Sequence, residues 1–138
     1  MSTLERAIVI AAEAHAEVKD KGGSPYILHP LRVMALMDSD DARIVAVLHD
    51  VVEDSHWTLD ALREEGFSEA VLAGIDAVTR RTGESYDDFV QRAGCDEIGR
   101  KVKIGDLLDN SDLSRIPTPT DRDRQRQAKY KRALSKLA

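Results

Sequence analysis

The sequence predicts an all-α protein, a compact helical globule of about seven or eight short helices, and three observations carry that prediction. Apolar residues recur at helical spacing along nearly the whole chain, and no alternating run of strand length interrupts them. Gly, Pro and capping residues punctuate the pattern at short intervals. Residues 42–54, Ala-Arg-Ile-Val-Ala-Val-Leu-His-Asp-Val-Val-Glu-Asp, are apolar on nearly every side, the pattern of a helix that crosses a core.

In order along the chain, Leu4, Ala7, Ile8, Ala11, Ala14 and Val18 predict a first helix near 3–19 with Ser2 or Thr3 as its cap. Lys21-Gly22-Gly23-Ser24-Pro25 breaks it, because glycine permits positive φ and proline lacks a donor. Tyr26-Ile27-Leu28-His29-Pro30 reads as an extended lead into a helix near 30–37, which places His29 just before that helix. Asp38-Ser39-Asp40-Asp41 caps the central helix, and Thr58 caps another near 59–65 that stops at Gly66. Further helices are expected from Ser68 to about Arg80, near 84–93 and near 96–110. Pro117 and Pro119 then make a loop before a basic helix that opens at Asp121.

Composition narrows the functional classes. A chain of 138 residues is expected to form a single domain, residues 1–138, large enough to bury roughly two-thirds of its unfolded surface. No apolar run approaches the length of about 20 residues that spans a bilayer, and the first residues lack a signal-peptide pattern, so a cytoplasmic location is expected. Cys95 stands alone and reads as inert. The net charge of −5 argues against general nucleic-acid binding. Residues 121–138 carry seven Lys or Arg against two Asp, a net of +5, so the rest of the chain holds −10. Such a run is either a solvated helix face or a basic rim for an anionic substrate. Apart from Tyr130 it lacks the aromatic platform that single-strand binding uses.

The chemistry sits in the central segment. His49 and Asp50 interrupt an apolar run, and a buried carboxylate costs several kcal/mol or more unless it is paired or bound to a metal. A divalent cation would supply the missing charge. Glu53 and Asp54 follow four residues later on the same helical rows, making one polar patch. Adjacent side chains cannot complete a coordination sphere, so remote ligands are required. His29, beside Pro30, and Asp106, an acid among apolar neighbours, are the best candidates. Two imidazoles and two carboxylates suit Mn²⁺ or Fe²⁺, with Zn²⁺ also admissible on affinity. Lys103, Asp106 and Asn110 share one helix face.

These residues together resemble a known family, the HD-domain metal-dependent phosphohydrolases. The resemblance is carried by Ala14-His15, Lys21, Pro25-Tyr26-Ile27-Leu28-His29-Pro30-Leu31, Leu48-His49-Asp50-Val51-Val52-Glu53-Asp54, Thr79-Arg80-Arg81 with Gly83-Glu84-Ser85-Tyr86, and Lys103-Ile104-Gly105-Asp106-Leu107-Leu108-Asp109-Asn110. In this order the set is similar to the hydrolase domain of Rel/SpoT-type alarmone enzymes and to stand-alone small alarmone hydrolases. The resemblance implies an all-α fold, a bound Mn²⁺ and removal of the 3′-pyrophosphate from guanosine tetra- or pentaphosphate. It implies His29, His49, Asp50 and Asp106 as metal ligands, Glu53 and Asp54 as the acidic pair that activates water, and Lys21, Asn110 and Tyr130 as substrate contacts. No synthetase domain is expected in this length, so hydrolysis is the expected activity.

One position departs from the pattern. The relatives carry Arg-Lys before the glycine turn, where this chain has Asp20-Lys21, and a short anion cannot stack on a base as a guanidinium does. An Asp20→Arg change is therefore expected to improve use of guanosine substrates. Several residues keep a second reading: His15 as a structural histidine, Asn110 as a helix C-cap, Tyr130 as packing of the last helix, Lys103 as a surface lysine. His56, beside Trp57 in a turn, is expected to be exposed. Other functions that the sequence admits are hydrolysis of a different nucleotide or phosphoester and a non-catalytic, metal-containing nucleotide sensor. The intact Glu53-Asp54 pair favours the enzyme.

Overall fold

A computed structural model describes residues 2–138. Among them are nine helices: α1 (Leu4–Ala14), α2 (Leu28–Ala35), α3 (Asp40–Leu48), α4 (Val51–Asp54), α5 (Leu59–Glu64), α6 (Glu69–Ala77), α7 (Tyr86–Gly94), α8 (Glu97–Asn110) and α9 (Asp121–Leu137). The described residues contain no strand, only an isolated bridge between Lys19 and Pro25. The fold is all-α, as the periodicity requires.

Helix α3 lies at the centre, packed against α1, α2, α6 and α8. Its residues Ile44 to Leu48 are all buried, together with Ile10, Val33, Leu62 and Ile75 from the surrounding helices. Truncating such a side chain, Leu48→Ala for example, costs about 2–5 kcal/mol. A smaller cluster of Val90, Leu107, Ala133 and Leu137 joins α7, α8 and α9. Local chemistry sets the boundaries. Thr3, Ser39, Thr58, Ser68, Ser85, Asp96 and Thr120 each accept a hydrogen bond from an amide of the first turn. Thr120 forms a full capping box with Asp123.

Three boundaries differ from the sequence expectation. The first helix ends at Ala14 rather than near 19, because Glu17 takes a left-handed φ of 66° and the chain doubles back, with the Tyr26 amide bonded to the Val18 carbonyl. His29 falls inside the first turn of α2, which starts at Leu28; Pro30 fits there because a first-turn nitrogen needs no donor. The central segment is not one regular helix. It breaks at His49 and Asp50, where the His49 amide turns to the carbonyl of Ala46 and Asp50 sits at φ −101°, ψ −3°. That break separates α3 from α4 and raises the helix count.

Glu84 and Arg92 pin the 79–85 connection to α7. Arg92 donates to both Glu84 oxygens at 2.8 and 2.9 Å and to the carbonyls of Asp76 and Thr79 at 2.8 and 2.7 Å. The Arg92 pair, reinforced by the Arg81 amide, holds the Glu84 carboxyl down to about 2. The ordinary glutamate value is about 4.3, so the charged form stabilises the fold above that pH and the contribution is lost as pH falls toward 2. Thermal melts should place Glu84→Gln below wild type at neutral pH, with the gap closing as the pH falls from roughly 4. A gap independent of pH would show that the ion pair is not its source.

Candidate metal centre

The break between α3 and α4 aims His49 inward. Its ring is buried, and Nδ1 donates to the Ala46 carbonyl at 2.6 Å, so the lone pair of the neutral ring lies on Nε2. Nε2 stands 3.2 Å from both Asp50 Oδ2 and Asp106 Oδ1. His29, from the first turn of α2, repeats the arrangement. Its Nδ1 donates to Asp109 Oδ2 at 2.6 Å, and its Nε2 lies 2.9 Å from Asp106 Oδ1 and 3.9 Å from Asp50 Oδ2. Donor atoms of His29, His49 and Asp50 all fall within 4.8 Å of one another. Asp106, from α8, places one oxygen against both imidazoles, so the four residues expected as ligands come together.

The donor set fits a divalent cation on chemical grounds. Two imidazole nitrogens, each with its other nitrogen engaged as a donor, face two carboxylates, and only positive charge can satisfy both sides. Either two extra protons or one cation meets that need. Burial alone would lower His49, but the charges of Asp50 and Asp106 outweigh it and push the imidazole up to about 10. His29 is raised likewise: its bonds to Asp106 and Asp109 overcome the effect of burial.

The surrounding groups hold these donors. Tyr26 donates its hydroxyl to Asp50 Oδ2, and burial followed by the Asp50 charge pushes the phenol well above its ordinary range. Lys103 donates to Asp106 Oδ2 at 3.0 Å and is buried, which removes its surface reading. Asn110 donates to Asp106 Oδ1 at 3.1 Å from the last residue of α8; the C-cap itself is Ser111, so the capping reading of Asn110 falls. His15 packs behind Tyr26, with ring centres 5.0 Å apart, and contributes no donor to the cluster. His56 is exposed beside Trp57.

Asp109 and Arg32 are the members that sequence reasoning missed. Asp109 is 8% exposed while its neighbour Leu108 is 52% exposed, an inversion of the usual polarity. Arg32 grips both Asp109 oxygens at 2.8 and 3.1 Å, and Arg115 donates to its backbone carbonyl at 2.9 Å. Burial opposes ionisation of Asp109, yet His29 and Arg32 hold its carboxyl well below the usual range. A sequence signal was present: Asp109 lies three residues beyond Asp106, on the face shared by Lys103, Asp106 and Asn110.

Glu53 and Asp54, on the single turn of α4, are exposed at the edge of the cluster. The Glu53 carboxylate accepts the backbone amide of Arg80. Partial burial, then the Asp50 and Asp54 charges, push Glu53 above the ordinary carboxylate range, and Asp54 is raised by partial burial and Asp50. On the His29 side of the cluster opens a cavity of about 460 Å³ bordered by Lys21, Tyr26, His29, Arg32, Asn110 and Tyr130. Tyr130 lines the cavity and also packs on the α7–α9 cluster. The close approach of Gly22 shapes the far wall, since a Cβ there would lie 2.3 Å from the Arg115 carbonyl oxygen. Asp20 also borders the cavity, and its Oδ1 accepts the amides of Gly22 and Ser24, each at 2.9 Å. Its carboxylate closes the loop, so an Asp20→Arg change gains a guanidinium only by releasing two amides.

An all-α globule with buried imidazoles and carboxylates gathered where a central helix breaks defines a class: helical domains built around a metal centre. The chain belongs to the HD domain family, which matches residues 7–98. A guanosine-3′,5′-bis(diphosphate) 3′-pyrophosphohydrolase of Aquifex aeolicus is 34% identical over 119 residues, covering 78% of this chain and 17% of that protein. A Mycobacterium leprae protein named as a probable GTP pyrophosphokinase is 33% identical over 138 residues, covering 91% of this chain and 17% of the relative. The chain thus spans about a sixth of the length of these curated relatives. Among solved structures, a metazoan ortholog of SpoT described as hydrolyzing ppGpp superposes with a TM-score of 0.82 at 20% identity, over 99% of this chain and 85% of that one. That likeness extends the common fold through α8 and α9, beyond the family match.

Removing Asp109 should show what orients His29. Asp109→Ala is expected to weaken divalent-metal affinity by about 10–100-fold, as loss of a ligand's hydrogen-bond partner does, and Asp109→Asn, which keeps an acceptor for Nδ1, should lose less. Titration against a competing chelator measures both; wild-type affinity in the alanine variant would refute the role.

Proposed function

We propose that this chain hydrolyses the 3′-pyrophosphate of a guanosine 3′,5′-bis(diphosphate)-type nucleotide in the cytoplasm, at a Mn²⁺ centre held by His29, His49, Asp50 and Asp106. The observation that carries the reading is the pair Glu53 and Asp54, two exposed carboxylates with raised proton affinity at the edge of the donor cluster, whose His29 also borders a cavity of nucleotide size. A purely structural metal site has no use for such a pair. The names of the relatives point to the same substrate.

A divalent ion in the cluster would supply Lewis acidity at a phosphoryl oxygen and acidify water. The remaining work falls to the chain. Glu53, made more basic by its surroundings and steadied by the Arg80 amide, takes a proton from the attacking water while Asp54 orients that water. The water oxygen bonds to the phosphorus that carries the ribose 3′ oxygen. The bond between them breaks, the 3′ oxygen takes up a proton and pyrophosphate departs. Asn110 and Tyr130 hold the nucleoside side, and Lys21 lies near the substrate phosphates. Asp20 supports a second substrate reading, a different base or phosphoester, because a carboxylate committed to loop amides offers no flat face to guanine.

Pyrophosphate release from guanosine and adenosine 3′-pyrophosphates, measured with Mn²⁺, tests the reaction and the base together; release from guanosine substrates with weak selectivity over adenosine is expected, and release from neither would refute the proposal. Glu53→Gln should lower turnover by roughly 10²–10⁴ with metal content unchanged. An unaltered rate would move Glu53 to a structural role.

A further inference from the structure

On the α7–α9 side of the donor cluster, three cations surround the ring of Tyr86. Lys129 Nζ lies 3.9 Å from its centre, Arg80 Cζ 5.8 Å and Lys103 Nζ 5.9 Å. The Tyr86 hydroxyl is buried and makes no hydrogen bond. Among the described residues no carboxylate pairs with Lys129 or Arg80; the Arg80 guanidinium reaches only the Glu84 carbonyl, at 3.1 and 3.2 Å. Lys103 alone has an acidic partner, Asp106. Like charges so grouped repel one another, and partial burial together with Arg80 and Lys103 lowers the proton affinity of Lys129. The place is rich in donors and poor in acceptors. What complements it is a compact anion with several oxygens.

Its location says which anion. The Arg80 amide is bonded to Glu53, and Lys103 to Asp106, so the group borders both the acidic pair and the donor cluster. Lys129 precedes Tyr130, which lines the nucleoside cavity. We propose that Tyr86, Lys129, Arg80 and Lys103 form the subsite that receives the transferred diphosphate, so that inorganic pyrophosphate binds there as product. This rests on the reaction proposed above. In that reaction the nucleoside occupies the α2–α8 cavity and the diphosphate lies toward α7 and α9, with the scissile bond at the donor cluster between them.

Tyr86→Phe gives the sharpest test. It deletes one hydroxyl that has no partner in the protein and keeps the ring on which Lys129 rests, so a merely packed Tyr86 predicts unchanged binding and an unchanged or higher Tm. The subsite predicts an unchanged Tm with pyrophosphate affinity weakened about tenfold, and about 10–100-fold for Lys129→Met, from hydrogen bonds to a charged group. The measurement is calorimetric titration of inorganic pyrophosphate into Mn²⁺-loaded protein, with Lys101→Met, an exposed lysine of α8 that lies 3.6 Å from Asp38, as a control expected to bind pyrophosphate like wild type. Wild-type affinity in both Tyr86→Phe and Lys129→Met overturns the subsite, even in a protein that hydrolyses 3′-pyrophosphorylated nucleotides. Weakened affinity in both, in a protein that turns over none of those nucleotides, upholds the subsite and overturns the reaction.

Discussion

The structure depends on an unbalanced charge at its centre. Asp50 and Asp106 face the Nε2 atoms of His29 and His49 inside the globule, beside the buried charges of Lys103 and Asp109. Several kcal/mol are at stake for each carboxylate removed from water without compensation. The neighbouring features answer that cost: Lys103 on Asp106, Tyr26 on Asp50, Asp109 on the far nitrogen of His29, the Ala46 carbonyl on that of His49. Lys103, Asp109 and the Ala46 carbonyl each engage the far atom of their partner, which leaves Asp106 Oδ1 and both Nε2 atoms turned toward one another. The centre is therefore organised by its own hydrogen bonds, and a cation completes an arrangement the chain has already made.

The break in the central helix is what makes this geometry available. On a regular helix His49 and Asp50 point about 100° apart. With the His49 amide drawn to Ala46 and Asp50 in the bridge region, Nε2 of His49 and Oδ2 of Asp50 come to 3.2 Å. The same break begins α4 anew, and its single turn carries Glu53 and Asp54 to the rim instead of into the core. One local departure from ideal geometry thus sets both the donors and the acids.

Much of this was legible in the residues. The unbroken apolar pattern of 42–48 announced a core helix, and capping side chains marked most helix starts within a residue or two. His29, His49, Asp50 and Asp106 were readable as partners because ionisable groups in apolar surroundings need one another. The helix break was not readable, since apolar periodicity does not record the local bond that accompanies it, from the His49 ring to the carbonyl of its own preceding turn. Nor was the early end of α1, where Glu17 adopts a conformation that its residue type does not favour. Asp109 escaped notice because a carboxylate beside an exposed leucine looks like surface until the phase of α8 is known. Asp20 read as a missing arginine, while its bonds to the Gly22 and Ser24 amides give it a local task of its own.

The two apolar clusters differ in what they secure. The larger one surrounds α3 and fixes His49 and Asp50; the smaller one, Val90, Leu107, Ala133 and Leu137, is what holds α9. Polar contacts reinforce that seat: Arg100 donates to the Leu137 carbonyl at 2.8 Å and Gln127 to the Ser111 carbonyl at 2.8 Å. Through Asp123, Arg126 and Tyr130 this helix walls the cavity, and through Lys129 it covers the Tyr86 ring, so one C-terminal element borders the donor cluster on two sides and what seats it shapes both.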